Sequence, residues 1–282
     1  MYNIAQPSQA LSEFVDSYWS HFTEPDRLSD LKIDVFVDGQ ADLVINLGCS
    51  YSRRGIESGG VLSTREIDFS NVDFQRTHPI QIIQQGMIAV CGMRFKPGGL
   101  GAFFASSLDA YTNAVVAPSE LFGAGFHGLE KTLSESDRTM AEIGRHLDSF
   151  LLEHLKQPRS FRTFWALKSE IEQGRGTRKV NSICDEVGVS ARTAERLFKK
   201  YMGLLPKLYA RIVRFQAVMK ILMDEGRHNL ADVAARFDYA DQAHLVKDFK
   251  DFAGGIPSRF KGYFPEGLPK DFAPNVVAFL QD

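Results

Sequence analysis

The sequence predicts an α+β protein. An N-terminal antiparallel β sandwich or barrel with trailing helices precedes an all-α segment of two similar helical units. Three observations predict this. Residues 1 to about 120 alternate apolar and polar side chains between glycine-rich turns. Residues from about 119 to 174 change to a helical period. Residues 180 to 260 then repeat themselves at an offset of 50 to 51.

In the first part, Ile33 to Val37 alternates, Asp38-Gly39 turns, and Leu43-Val44-Ile45-Asn46-Leu47 runs apolar. Gln81-Ile82-Ile83, Met87-Ile88-Ala89-Val90 and Met93-Arg94-Phe95 continue the pattern, punctuated by Gly48, Gly55, Gly59-Gly60, Gly86 and Gly92. Leu100-Gly101-Ala102-Phe103-Phe104 opens a short helix after the Pro97-Gly98-Gly99 turn. Helices are expected over Ser119 to His127, Asp137 to His154 and Phe161 to Gln173, with Gln157-Pro158-Arg159-Ser160 separating the last two. The apolar run Val276-Val277-Ala278-Phe279-Leu280 in the tail is expected to dock on a neighbouring surface. The resulting division is 1–157, 158–265 and a tail 266–282.

In the repeat, Val180, Ile183, Cys184 and Val187 match Leu230, Val233, Ala234 and Phe237 at an offset of 50. Ser190, Ala194, Arg196, Phe198 and Lys199 match Asp241, Leu245, Lys247, Phe249 and Lys250 at an offset of 51, and so do Gly203, Pro206 and Tyr209 with Gly254, Pro257 and Phe260. Each copy reads as helix, turn, helix. The first apolar set falls at i, i+3, i+4, i+7. Gly188 stops that helix and Ser190 caps the next; Asp238 and Asp241 take those places in the second copy. This is the helix-turn-helix pattern, whose second helix enters the DNA major groove.

Charge agrees with that reading. Residues 175–262 hold 17 Lys and Arg against 10 Asp and Glu, a net of +7, whereas the remainder has 16 against 25, a net of −9. The near-neutral total hides a basic segment, the footprint of a phosphate backbone.

Ala231-Asp232-Val233-Ala234, the run from Tyr239 to Lys250 and Gly254-Gly255-Ile256-Pro257 carry a family signature, as do Gly188-Val189-Ser190, Arg196-Leu197-Phe198-Lys199 and Gly203-Leu204-Leu205-Pro206. On these motifs, residues from about Lys179 to Lys261 resemble the DNA-binding domain of AraC/XylS-type transcription regulators. The resemblance implies two helix-turn-helix units joined by a helix from about Pro206 to Glu225. It departs at Asp238, where glycine is usual, at Cys184 and at Leu245. Asp38-Gly39-Gln40-Ala41-Asp42 through Gly48, and Gly92 through Gly99, are similar to motifs of a poorly characterised β domain that precedes such regions. That similarity implies a cupin-like sensing or dimerisation module and names no ligand.

The implied DNA-contacting residues are Arg192, Thr193, Glu195, Arg196, Lys199, Lys200 and Arg211 in the first unit and joining helix. In the second they are Gln242, Ala243, His244, Val246, Lys247 and Lys250. Arg and Lys address bases or phosphates, Gln and Glu address base edges, and Ala or Val can meet a thymine methyl. Arg94, Phe95 and Lys96 are the candidate ligand-facing residues. Arg94 and Lys96 would leave one strand face and meet an anion; a hairpin with solvated charges fits the same pattern.

His21, His78 and His127 are isolated, so no metal set is expected. Cys91 reads as a core thiol. No P-loop, dinucleotide or G-x-S-x-G fingerprint occurs, so no cofactor is expected. Three scattered cysteines, no 18-residue apolar run and no secretory leader predict a reduced, cytoplasmic protein without membrane contact. The expected partners are double-stranded DNA, a small-molecule effector, RNA polymerase and a second copy of the chain. The functional reading is a one-component transcription regulator; the alternative is an enzyme or repair-type domain localised by a DNA-binding domain.

Overall fold

A computed structural model of the chain describes residues 2–23, 29–57, 60–223 and 229–260. The tail run Val276 to Leu280 lies outside the described residues. The strands are β1 (Tyr2–Ala5), β2 (Val15–Phe22), β3 (Ser29–Val35), β4 (Ala41–Asn46), β5 (Tyr51–Glu57), β6 (Gly60–Ile67), β7 (Asn71–Asp73), β8 (Ile80–Gly86), β9 (Ala89–Phe95) and β10 (Val115–Val116). They form two sheets, β1-β2-β9-β4-β7-β10 and β3-β8-β5-β6, with every pairing antiparallel.

The period of two decides what each face of the larger sheet meets. Tyr18, Leu43, Ile45, Cys91, Met93 and Phe95 join the main apolar core with the helices. Their neighbours Ser17, Trp19, His21, Asp42, Val44, Val90 and Arg94 turn toward the smaller sheet and line a cavity. At the centre Gly92 allows close packing: a Cβ there would lie 2.1 Å from the Leu43 carbonyl oxygen and 3.1 Å from the Trp19 ring.

The helices are α1 (Ser119–Phe122), α2 (Gly125–Glu135), α3 (Met140–His154), α4 (Arg159–Gln173), α5 (Val180–Val187), α6 (Ala191–Met202), α7 (Pro206–Met223), α8 (Leu230–Arg236) and α9 (Gln242–Ala253). The helix expected from Ser119 to His127 is two helices. Gly123, at φ 70°, closes α1, and α2 continues to Glu135. The helix expected at Leu100 is a 3₁₀ turn, Gly99–Ala102. Ala89-Val90 and Met93-Arg94-Phe95 belong to one strand, because β9 crosses Gly92 unbroken, whereas Met87 and Ile88 lie in the turn before it.

Each helical unit is closed as its sequence dictates. Gly188 and Asp238 adopt positive φ, 75° and 55°, at the stops of α5 and α8. Ser190 Oγ accepts from the Thr193 N–H at 3.1 Å, and Asp241 Oδ1 accepts from the His244 N–H at 2.7 Å. Ser190→Ala and Asp241→Ala are each expected to lower stability by about 1 kcal/mol, and Ser190→Gly by only a few tenths. Urea unfolding of the three variants checks this; equal losses for Ala and Gly at position 190 would remove the capping explanation.

The helical and β-rich parts share one core. Gly203, at φ 75°, ends α6 so close to the β-rich part that a Cβ there would fall 2.0 Å from Gln75 Nε2. The Leu108 N–H donates to the Lys200 carbonyl at 2.9 Å, and Thr112 Oγ1 donates to the Gly203 carbonyl at 2.7 Å. At the other contact, the Val37 N–H donates to the Phe252 carbonyl at 3.0 Å, and Gln216 Nε2 donates to the Val37 carbonyl at 2.5 Å.

Candidate nucleic-acid interface and ligand cavity

The apolar stripe of α6, formed by Ala194, Leu197, Phe198, Tyr201 and Met202, is buried. The opposite face therefore presents Arg192, Glu195, Arg196 and Lys199 to solvent. Thr193 is half-buried, its hydroxyl 3.0 Å from that of Ser190 at the cap. Lys200 is half-buried with its ammonium 5.2 Å from the Tyr201 ring centre. On α9, Leu245, Asp248, Phe249 and Phe252 point inward, and Gln242, Ala243, Val246, Lys247, Lys250 and Asp251 line an open groove. His244 is half-buried, edge-on to Tyr239. Among the described residues, none of Arg192, Arg196, Lys199, Lys247 and Lys250 is drawn into an ion pair.

Arg211 is placed differently from the expectation. Its Nη2 lies 2.6 Å from Asp248 Oδ1 and 2.9 Å from Asp251 Oδ2, so its charge is spent joining α7 to α9. The Arg211 guanidinium also sits 5.0 Å from the Phe252 ring centre. Asp251 thereby enters the groove already neutralised. Sequence reading missed this, because the pairing residues lie 37 and 40 positions apart.

The second site is the cavity between the sheets, about 140 Å³ in volume. Leu31, Ile33, Val44, Ile80, Ile82 and Val90 supply apolar walls, and Asp42, Asp73, Arg76 and Arg94 supply a charged floor. Arg94 Nε and Nη2 donate to the two Asp42 oxygens at 3.0 and 3.2 Å. Arg53 holds Asp73 in the same forked way at 3.1 and 2.9 Å. Arg76 stands 3.4 Å from Asp73 and 3.7 Å from Asp38, and Arg94 stands 3.9 Å from Asp38. Burial pushes the Asp38 carboxyl above the usual carboxylate range, against the pull of Arg76 and Arg94. Burial also works against the charge of Arg76 and Arg94, but their aspartates outweigh it and raise both.

Of the three ligand candidates, only Arg94 reaches this cavity. Phe95 points to the opposite face, its ring 5.6 Å from that of Phe103. Lys96 lies beyond the end of β9, where its charge acts on Lys168. Alternation fails there because the strand ends at Phe95. Arg94 is no solvated hairpin charge either: it is buried and paired. Arg53, Asp73 and Arg76 were missed; a local signal existed only for Asp73, a charge between Val72 and Phe74. Cys91 is a buried core thiol, and burial pushes it up to about 12. Among the described residues, no group of three or more His, Cys, Asp or Glu is arranged to hold a metal. No helix among them is long and apolar enough to cross a membrane.

Residues 183–262 match the model of a helix-turn-helix domain. These residues are a DNA-binding helix-turn-helix domain of the AraC type, and the chain that carries it is a transcription regulator. Residues 3–117 of the regulator match a domain of unknown function, DUF6597, and these residues build the two sheets. Comparison with curated protein sequences gives no match. Solved structures similar to the regulator include ToxT from Vibrio cholerae, with 10% identity, a TM-score of 0.44, and coverage of 83% of this chain and 98% of that one. Unsaturated fatty acid bound ToxT from Vibrio cholerae strain SCE256 gives 10% identity and a TM-score of 0.45, covering 88% and 99%. The AraC-like transcriptional activator CuxR gives 16% identity and a TM-score of 0.25, covering 74% and 84%.

Proposed function

We propose that the regulator senses a small molecule in the cavity between its sheets, and that occupancy biases its grip on DNA through residues 36–40. The observation that carries this is the double attachment of that loop. Asp38 belongs to the charged network under the cavity, while both main-chain polar groups of Val37 are bonded to the helical part. A ligand that shifts Arg76 or Arg94 acts on Asp38, and the next peptide acts on α7 and α9. The β-rich part has no catalytic role in this reading. The working division is 1–157 for sensing, 158–265 for DNA binding and 266–282 for the tail. A cytoplasmic setting, a homodimer and a contact with RNA polymerase complete the proposal.

On DNA, Arg192, Glu195 and Arg196 read bases in one major-groove segment, while Lys199 and Lys200 hold phosphates. In the second unit, Gln242, His244, Lys247 and Lys250 serve mainly as a clamp, and Ala243 and Val246 offer apolar contact to a thymine methyl. The joining helix of 18 residues is about 27 Å long, so one copy spans two major-groove segments about 10 base pairs apart.

Selection from random-sequence DNA by the full chain tests this. The expected product is a site with two such boxes. Arg196→Ala is expected to cost about 1–3 kcal/mol on that site and relax one position. Lys247→Ala is expected to weaken all sequences alike and shallow the salt dependence by about one unit. Equal shifts in base preference for both variants would overturn the ranking of the two units, and no enrichment at all would overturn the reading.

A further inference from the structure

We propose that the cavity takes a small, mostly apolar molecule bearing a hydrogen-bond acceptor, which it seats on Arg76. This rests on the sensing role and names its ligand class. The size limit comes first. A cavity of about 140 Å³ is close to the engineered cavity of about 150 Å³ that admits benzene. The buried part of the ligand is therefore the size of one small ring with a short head group. Seven aliphatic side chains line the cavity, so most hydroxyls of a polyol would lose their hydrogen bonds to water without replacement.

The floor then sets the head group. Arg76 is only 1% exposed, and its Nε and Nη2 have no hydrogen-bond partner among the described residues. Buried guanidinium donors left without acceptors are costly and uncommon in folded proteins. The carboxylates bordering the same space are already occupied: Asp42 is gripped by Arg94, and Asp73 by Arg53. What the floor lacks is an acceptor. Among the lining residues a cationic head would meet the guanidinium groups of Arg76 and Arg94, while both lining carboxylates, Asp42 and Asp73, already hold a guanidinium. His21 Nδ1 is the other lining atom without a partner. Burial lowers the pKa of its ring, favouring the neutral form, so it adds no charge that would select a cation.

Four probes of similar size separate the possibilities: benzamide, benzoate, benzamidinium and toluene. Binding to the full chain is measured by calorimetry, and the Arg76 Nε–H resonance of ¹⁵N-labelled wild-type protein is followed on addition of each. At least one acceptor-bearing probe is expected to bind about tenfold or more tightly than toluene and benzamidinium, and to move that resonance. The comparison of benzamide with benzoate shows whether the acceptor is a neutral carbonyl or a carboxylate. Ile82→Phe, which fills the cavity from the apolar side, is expected to abolish binding in a folded protein.

The proposal fails if toluene or benzamidinium binds as tightly as both acceptors. It fails if the acceptors bind without moving the Arg76 signal. It also fails if no probe binds, with Arg76 satisfied by ordered water alone. The sensing role has its own readout. A probe that binds on Arg76 but leaves the affinity for DNA selected by the chain unchanged would sink sensing through this cavity and leave the ligand class standing.

Discussion

Asp248→Ala is expected to lower the stability of the helical part by about 3–5 kcal/mol, the largest effect of any single change on the DNA-facing side. Asp248 is 0% exposed at the centre of the second unit. Its Oδ1 accepts from Arg211 Nε and Nη2 at 3.1 and 2.6 Å. Its Oδ2 accepts from the Tyr239 hydroxyl at 3.2 Å and lies 3.8 Å from Arg214. Arg214 is itself stacked over Tyr239, 4.2 Å from the ring centre, and donates to the Asp238 carbonyl at 3.2 Å. One carboxylate thus ties the joining helix to the reading helix and to the turn before it. Removing it leaves the nearly buried Arg214 without its counter-charge.

The comparison that decides the matter is Arg211→Ala. The Arg211 side chain is 34% exposed and shares its charge with the exposed Asp251, while Tyr239 and Arg214 still hold the other oxygen of Asp248. A smaller loss of about 1–3 kcal/mol is expected there, the cost of leaving Asp248 Oδ1 buried without its two donors. Guanidinium unfolding of both variants supplies the measurement. Equal losses would mean that the Arg211 pair carries the whole contribution of Asp248 and that Tyr239 and Arg214 add nothing to it. DNA affinity provides a second reading: if Arg211 serves α9 alone, Arg211→Ala leaves the salt dependence of binding unchanged. A slope shallower by about one unit would return Arg211 to the phosphate backbone.

The helical part was legible because its information is local. A period of 3.6, a capping side chain and a left-handed stop all fall within about ten residues of one another. Even the departure at Asp238 was readable, since aspartate tolerates the positive φ that the turn requires. The sheets were legible only in outline. β2 alternates between two buried environments, with Tyr18 and Ser20 toward the helices and Trp19 and His21 toward the cavity. No apolar-in, polar-out signal marks such a strand. β6 has the opposite defect: Val61 and Leu62 are exposed on an edge strand, so hydrophobicity there does not indicate burial.

The cavity floor was the least legible feature. Its charges come from the loop at Asp38, from β4, β5, β7 and β9, and from the segment after β7 at Arg76. Apart from Asp73, between Val72 and Phe74, they read locally as ordinary surface charges, and the antiparallel register is what joins them. Asp42 lies opposite both Arg94 and Asp73, which brings β4, β9 and β7 to one point. Arg94 was singled out for its place on a strand face. Lys96 shared that argument and fails it, because alternation holds only while the strand continues.

Arg94→Met is expected to lower the stability of the β-rich part by about 3–5 kcal/mol, the cost of leaving buried charge without its partner. Arg94 makes the forked pair with Asp42 and lies 3.9 Å from Asp38. Both aspartates are buried, and neither can turn to water without opening the sandwich. A guanidinium is planar and forked, so Arg94→Lys is expected to restore only part of the loss. Removing both charges in the double variant Arg94→Met, Asp42→Leu takes away the unpaired carboxylate and is expected to recover a large share of the stability. Denaturant unfolding of these variants forms a double-mutant cycle. Additive losses would mean that the two residues act independently, and the ion-pair account of the floor would fall. The same cycle bears on coupling to DNA. Arg94 is one of two guanidinium groups that steady Asp38, and the peptide at Val37 is bonded to Gln216 and Phe252. Arg94→Met is therefore expected to change DNA affinity from a distance, whereas a change of similar stability cost in the helix-side core, such as Met93→Ala, is not. Equal effects of the two substitutions on DNA affinity would show that stability alone is transmitted between the parts.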